Sequence, residues 1–318
     1  MGSKNRVGNI EFYLKHRDMH DAYLAFVPEH LRPGPATRPE PTWWPWRDTT
    51  IHVVRARRPD ASARILWLHG GGGNSALLWP YAAAAFELGF EVLVPDLPGF
   101  GWTLTGGRSI RYPDWIDCIT DLISEEARRD SRPLAIAGAS LGGLLAYDVA
   151  ARTGQAAALL VTCLLDPRSA DVRAALTRWP WMGVHGPKLL HPVFDRIRVP
   201  MRLAGKMTGV ANDPALNRLV ASDRRGGGAW MPLGFLRTYL EWTPLVEPEQ
   251  FTACLVWMVH PGADRWTPMA LSMPFFERIA APKQLVILDN CGHMPIESPG
   301  VDQLADVCRT VLDQLSGI

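Results

Sequence analysis

Pro133-Leu134-Ala135-Ile136-Ala137-Gly138-Ala139-Ser140-Leu141-Gly142-Gly143 is the stretch on which the fold turns. Its first five residues read as a short apolar strand, and a helical pattern runs on from Leu141 to about residue 153. Between them stands Gly-x-Ser-x-Gly. A bare G-x-S-x-G arises by chance often enough to carry little, but a strand before it and a helix after it give it mechanical sense. The serine must take a strained turn that lifts its hydroxyl above the sheet, and its neighbours two positions away must be small. The helix that follows aims its N-terminal N–H groups at the same point.

Outward from this turn the chain alternates. Short β-rich runs fall at residues 50–55, 64–69, 91–95, 133–137, 159–165, 255–260 and 284–288. Helical patterns fall at 77–87, 112–128, 141–153, 268–280 and 301–315. Such alternation predicts an α/β fold, a mostly parallel sheet with helices on both faces and functional groups at the C-terminal strand ends. It stops between Asp166 and about Phe251, where the pattern is helical and broken by Pro180, Pro187, Pro192, Pro200 and Gly226-Gly227-Gly228. An insertion after a strand of an open sheet is expected to be a lid, with the glycine run a place where it moves. The predicted organisation is residues 1–48 as an N-terminal helix (11–26) and a Pro-rich, Trp-bearing connector (28–45) packed on the core. Residues 49–166 and 251–318 form the core, and 167–250 the lid.

The composition sets bounds. Of 318 residues 47% are hydrophobic and 20% charged, and 33 Lys and Arg face 32 Asp and Glu for a net charge of +1. A chain this close to neutral lacks the basic face that nucleic acid requires. Five cysteines, odd in number and widely spread without a CxxC, are expected to be reduced thiols of a cytoplasmic protein. The N-terminal residues lack an apolar signal core, and the most apolar run, 156–165, is too short to span a bilayer. No internal repeat is present, and no motif calls for a metal, nicotinamide or flavin, so no cofactor is expected. Oligomeric state is not readable from these features. Thirteen tryptophans are the unusual count.

A serine hydroxyl is a poor nucleophile without a base, and the base needs an orienting acid. Asp289-Asn290-Cys291-Gly292-His293-Met294-Pro295 follows the last strand, which makes His293 the favoured base over His69 and His260. Asp264 lies in the loop after the preceding strand, and Asp166, after the strand at 159–165, is the alternative acid. Asp289 is expected to support its own turn. His69-Gly70-Gly71-Gly72-Gly73-Asn74 adds a glycine-rich loop after the strand at 64–69. Neither GxGxxG nor GxxxxGK[ST] is present to make it a nucleotide loop.

From about residue 49 onward the chain resembles the α/β-hydrolase superfamily. The resemblance implies Ser140 as nucleophile, His293 as general base and then acid, and Asp264 as the carboxylate that fixes the imidazole. It implies the backbone N–H groups of Gly71 and Leu141 as oxyanion donors. Asp96-Leu97-Pro98-Gly99-Phe100-Gly101-Trp102-Thr103 resembles the family's D-x-x-G-x-G turn, with Phe100 in place of the common His. Asp96 is then structural, and Phe100 or Trp102 is near the pocket. A serine at the elbow excludes the epoxide hydrolase and haloalkane dehalogenase branches. Trp179, Trp181, Trp230 and Trp242, with Met182, Met201, Met207, Met231 and Phe235, suit an apolar acyl pocket that Trp266 flanks. Lid placement is most similar to the monoacylglycerol lipase and lysophospholipase-like branch. The expected function is a serine carboxylic-ester hydrolase acting through an acyl-enzyme on a small-to-medium apolar substrate. A thioesterase, a lactonase or a C–C bond hydrolase would use the same triad, and a non-catalytic ligand receptor would keep only the scaffold.

Overall fold

The computed structural model describes residues 18–34, 37–205 and 209–317. In chain order the elements are α1 (Asp18–Leu24), β1 (Glu40–Trp46), β2 (Thr49–Ala56), β3 (Arg64–Leu68), α2 (Ser75–Leu88), β4 (Glu91–Pro95) and α3 (Tyr112–Arg129). Then come β5 (Leu134–Gly138), α4 (Leu141–Thr153), β6 (Ala156–Val161), α5 (Ala170–Leu176), α6 (Pro180–Leu189), β7 (Arg198–Pro200) and α7 (Met201–Ala204). The chain closes with α8 (Pro214–Ser222), β8 (Trp230–Pro232), α9 (Leu233–Leu240), β9 (Leu255–Pro261), α10 (Met273–Phe276), β10 (Lys283–Leu288) and α11 (Gly300–Ser316).

Eight strands form one sheet in the order β1-β2-β4-β3-β5-β6-β9-β10. β1–β2 and β2–β4 are antiparallel, and every other pair is parallel. Every residue of β3 and β5 is buried, as expected where helices cover both faces of a parallel sheet. The chain leaves β3 toward β4 on one side and returns to β5 on the other, so β3 and β5 flank the switch point where α/β sheets open a crevice. Their C-terminal ends meet in register at Leu68 and Gly138.

Three predicted elements differ from those observed. The Pro-rich connector is partly a strand: residues 40–46 pair with β2, Trp43 opposite His52. Pro41 and Pro45 are tolerated because β1 is an edge strand, which needs no ladder bond on its outer side. The Trp44 and Trp46 indoles donate to Glu125 (2.8 Å) and Asp121 (2.7 Å) on α3 and tie the strand down. The helix expected at 268–280 is a 3-10 turn followed by the single turn α10, because Pro274 has no N–H to offer the carbonyl a turn earlier. The strand expected at 159–165 ends at Val161, and Leu164 N instead donates to the Ser272 hydroxyl (3.0 Å). Of the helix predicted at 11–26, residues before 18 lie outside the described residues.

The segment inserted between β6 and β9 is not purely helical. It includes the antiparallel pair β7–β8, with Val199 opposite Met231. Its return to the core is held at α4: the Trp242 indole (2.8 Å) and Leu245 N (2.9 Å) donate to the two carboxylate oxygens of Asp148. The Tyr147 hydroxyl beside it donates to Val246 O (2.9 Å).

Burial pushes the Asp148 carboxyl up to about 7, against the two N–H donors that favour its ionised form. The folded protein therefore holds a proton at Asp148 that an unfolded aspartate releases near pH 4, and this contribution to stability is lost as pH rises from about 4 through about 7. Urea unfolding at pH 5.5 and pH 8 should show this decline in the wild type and a smaller one in Asp148→Asn. Equal pH slopes in the two proteins would refute it.

Candidate active site

Ser140 stands between β5 and α4 with φ 55° and ψ −125°. A non-glycine residue in this region carries about 1–3 kcal/mol of strain and persists only where its surroundings over-determine it. Here they do. Ser140 N donates to the Thr162 hydroxyl (3.0 Å), and Ala139 N to Leu68 O (2.9 Å). A methyl group on Gly138 would run into the backbone of Gly142, and one on Gly142 into the backbone of Leu68 and His69. The small residues of G-x-S-x-G are thus required by close approach of β3, β5 and α4.

Loops after β9 and β10 bring Asp264 and His293 together. His293 Nδ1 lies 2.8 Å from Asp264 Oδ2, with both side chains buried. The Thr267 hydroxyl donates to the same oxygen (2.8 Å) and sits 3.0 Å from His293 Nδ1. Trp266 N and Thr267 N donate to Asp264 Oδ1 (2.8 and 2.9 Å). Burial works to raise the Asp264 carboxyl, but the His293 ring and the Thr267 donors outweigh it and hold it well below the usual carboxylate range. With the Nδ1 proton committed to this carboxylate, Nε2 is the basic nitrogen. Asp166, by contrast, is engaged by the Arg168 guanidinium (2.8–3.0 Å), and His260 Nδ1 faces Thr162 O (3.0 Å). Asp289 pairs with Gln303 (2.9 Å).

The glycine loop 70–73 packs directly on the elbow: a methyl on Gly70 would fall 2.8 Å from Ser140 Cβ and 3.1 Å from Leu141 N. Leu141 opens α4, so its N–H has no carbonyl one turn earlier to bond. His69 anchors the loop as a neutral ring. Its Nδ1–H donates to Gly70 O (2.8 Å), and its Nε2 accepts from Leu97 N (3.0 Å), while burial lowers its pKa. Asp96 is structural, as expected. It accepts from the His52 ring (2.7 Å), Ser75 N (2.6 Å) and Trp102 N (2.7 Å). Burial opposes its ionisation, yet His52 and these donors bring its pKa down to about 2.

One anchor has no forewarning in the motifs. Asn74 caps α2 by accepting from Leu77 N (3.0 Å), and its amide donates to Asp223 Oδ2 (2.7 Å), which also receives the Tyr23 hydroxyl (3.2 Å). Gly226 N and Gly228 N donate to Asp223 O (3.0 and 2.8 Å), and Gly101 N to Arg225 O (2.8 Å). The glycine run 226–228, expected as a break where the insertion moves, is instead part of a tight turn docked on the core loops. Asn74 stood in the sequence only as the end of the glycine-rich loop; Asp223, Thr162 and Thr267 carried no sequence signal.

A central cavity of about 30 Å³ is lined by Ser140, His293, Trp266 and the glycine loop. It shares Gly71 and Trp266 with an apolar pocket of about 50 Å³ walled by Leu141, Met201, Met231 and Phe235. That pocket shares Thr177, Ala204, Leu236 and Leu240 with a wider one of about 160 Å³ that includes Trp179, Trp181 and Met182. Trp266 lies beside His293, the rings tilted by 49° with their centres 4.8 Å apart. Three other tryptophans depart from expectation. Trp242 lines none of these cavities and donates to Asp148 instead. Trp230 is 55% exposed and lines none of these three cavities, and Trp102 lies under the Arg225 guanidinium, 3.1 Å from its ring centre. Both miss the pocket because β8 and the 99–103 turn direct their side chains elsewhere. Phe100 is buried against His69, and Met207 lies outside the described residues. Among the described residues no three His, Cys, Asp or Glu are grouped to hold a metal, and no helix is long and apolar enough to cross a membrane.

Residues 65–307 match the alpha/beta hydrolase family. A pimeloyl-[acyl-carrier protein] methyl ester esterase from Vibrio campbellii is 30% identical over 133 residues, 42% of this chain and 46% of that protein, so the match spans about half its length. A protein of the same description from Aromatoleum aromaticum is 25% identical over 252 residues, 76% of this chain and 93% of that protein. Among solved structures, a soluble variant of the monoglyceride lipase of Saccharomyces cerevisiae aligns with a TM-score of 0.70 at 15% identity, covering 88% of this chain and 97% of that one. GrgF from Penicillium sp. sh18, an alpha/beta hydrolase, aligns with a TM-score of 0.70 at 18% identity, over 88% and 100% of the two chains.

Replacing Asp223 with Ala should speed hydrogen exchange of the amides at 70–75 and 226–229 together, leaving those of β9 and β10 unchanged. It should cost about 1–3 kcal/mol of stability, the usual effect of stranding buried partners. Exchange that rises only at 226–229 would show that the turn does not hold the glycine loop.

Proposed function

The chain belongs to the alpha/beta hydrolase family, and from that we propose that it is a serine carboxylic-ester hydrolase working through an acyl-enzyme at Ser140. The observation that carries this reading is the pairing of His293 with Asp264 (2.8 Å) at a cavity that Ser140 also lines. In the proposed cycle His293 Nε2 takes the Ser140 proton as Oγ attacks the ester carbonyl carbon. The oxyanion is held by the N–H groups of Gly71 and Leu141, each worth about 3 kcal/mol in the transition state. The tetrahedral adduct collapses, His293 passes its proton to the departing alcohol, and an acyl-serine remains. Water then repeats the sequence, releasing the acid and restoring Ser140. Asp264 stays ionised throughout, orienting the imidazole and stabilising its charged form.

The acyl group would lie in the apolar pocket walled by Leu141, Met231 and Phe235, which adjoins the reaction centre and suits a small-to-medium chain. Residues 167–250, standing over this site, serve as its lid. The described relatives act on a methyl ester of an acyl chain, and this supports an ester in preference to a thioester, a lactone or a carbon–carbon bond. Five unpaired cysteines support a reducing, cytoplasmic setting.

Ser140→Ala should abolish turnover of p-nitrophenyl esters and labelling by a fluorophosphonate while leaving circular dichroism unchanged. Asp264→Asn should lower kcat by about 10⁴-fold, because the wrong imidazole tautomer is then favoured. Undiminished activity in Ser140→Ala would overturn the assignment. A panel of methyl esters, thioesters and lactones of increasing chain length measures the preference.

A further inference from the structure

A second concave site lies outside the proposed chemistry. It is a cleft of about 670 Å³, within the range usual for small-ligand sites. One wall is the core loop that precedes α3, with Arg108, Ser109 and Arg111. The other is the inserted segment around β7, with Asp195, Arg196 and Arg198. Pro232 also lines the cleft, while its neighbours Met231 and Leu233 line the apolar pockets. A single extended segment therefore separates the cleft from the proposed acyl site.

Four arginines and one carboxylate, Asp195, line this space, and the carboxylate is already committed. Asp195 is bound by both arms of Arg237 (2.9 and 2.7 Å). Arg108 is shared between Asp48 (3.1 Å) and Asp114 (2.8 Å), and Arg198 donates to Trp230 O (2.8 Å). Arg111 and Arg196 are exposed, and among the described residues no carboxylate lies within ion-pair distance of either. Arg111 acts on Asp195 only from farther away. Guanidinium groups brought together from two parts of the chain repel one another unless an anion lies between them. Their planar forks match the oxygens of phosphate better than a point charge would. In a chain whose net charge is only +1, this is a local concentration and not a general basic surface.

We propose that the cleft binds a small phosphate-bearing molecule, a phosphate monoester or a pyrophosphate, with Arg111 from the core and Arg196 from the insertion as its principal contacts. The ligand bridges the two parts of the chain and ties the inserted segment down beside β8. Ser140 takes no part, so the proposal stands or falls separately from the ester chemistry.

Isothermal titration with sodium pyrophosphate and with glycerol 3-phosphate, at constant ionic strength set with sodium chloride, tests it. Saturable binding of one equivalent is expected, unchanged in Ser140→Ala. Arg111→Gln and Arg196→Gln should each weaken it by about tenfold, the loss of one charge-assisted contact. Arg111→Lys should fall between wild type and Arg111→Gln, keeping the charge without the fork. Both side chains are exposed, and unchanged thermal melts of the unliganded variants will separate binding from folding. Absence of saturable binding, or binding indifferent to both Gln variants, would overturn the proposal. So would binding confined to vesicles containing phosphatidic acid, which would assign the arginines to a lipid surface.

Discussion

The backbone of Ser140 is held at positive φ because four chain segments crowd one point, and the rest of the site depends on that crowding. β3 and β5 end side by side, α4 starts directly above them, and the glycine loop after β3 lies across the turn. None of these can withdraw without unpairing a buried strand. The strain is small against the burial of two central strands that are apolar but for Arg64, so packing can sustain it. Its result is a serine hydroxyl lifted out of the sheet, beside the first free N–H groups of a helix.

Around the elbow the fold positions loops from five strands, β3, β4, β6, β9 and β10, and polar contacts fix them. His69 and Asp96 brace the glycine loop from below, Asp223 holds it from the insertion, and Thr162 pins Ser140 from the neighbouring strand. Thr267 and two backbone N–H groups fix Asp264, which fixes His293. Buried carboxyl groups recur at these points because a group that accepts from several donors at once sets a geometry that apolar packing leaves loose. The insertion is joined to the core by the same means, at Asp148 on one side and Asp223 on the other.

How much of this was legible in the sequence depended on how local its cause is. β3 and β5 could be read because a strand buried on both faces shows as a short, nearly continuous apolar run, broken here only by Arg64 at the start of β3. Ser140 could be read because its turn admits only small neighbours. Asp264 and His293 could be read because a parallel sheet sends the loops after its strands to one edge. β1 was hidden, since Pro41 and Pro45 read as connector and only its edge position makes them harmless. Asp223 meets Asn74 across 149 residues of sequence, and nothing near either residue announces the other. The tryptophans divide likewise: composition found Trp266 and Trp230 alike, and only the direction of each side chain separates the one beside His293 from the one in solvent.

The account rests on a covalent bond forming at Ser140. The most direct test is to mix the protein with excess p-nitrophenyl butyrate, quench with acid within milliseconds, and measure the intact mass and the modified peptide. A transient butyryl adduct on Ser140, formed in step with the first equivalent of p-nitrophenol and absent once the ester is consumed, is the predicted result. Continued turnover with no adduct, or with an adduct on any other residue, would contradict it.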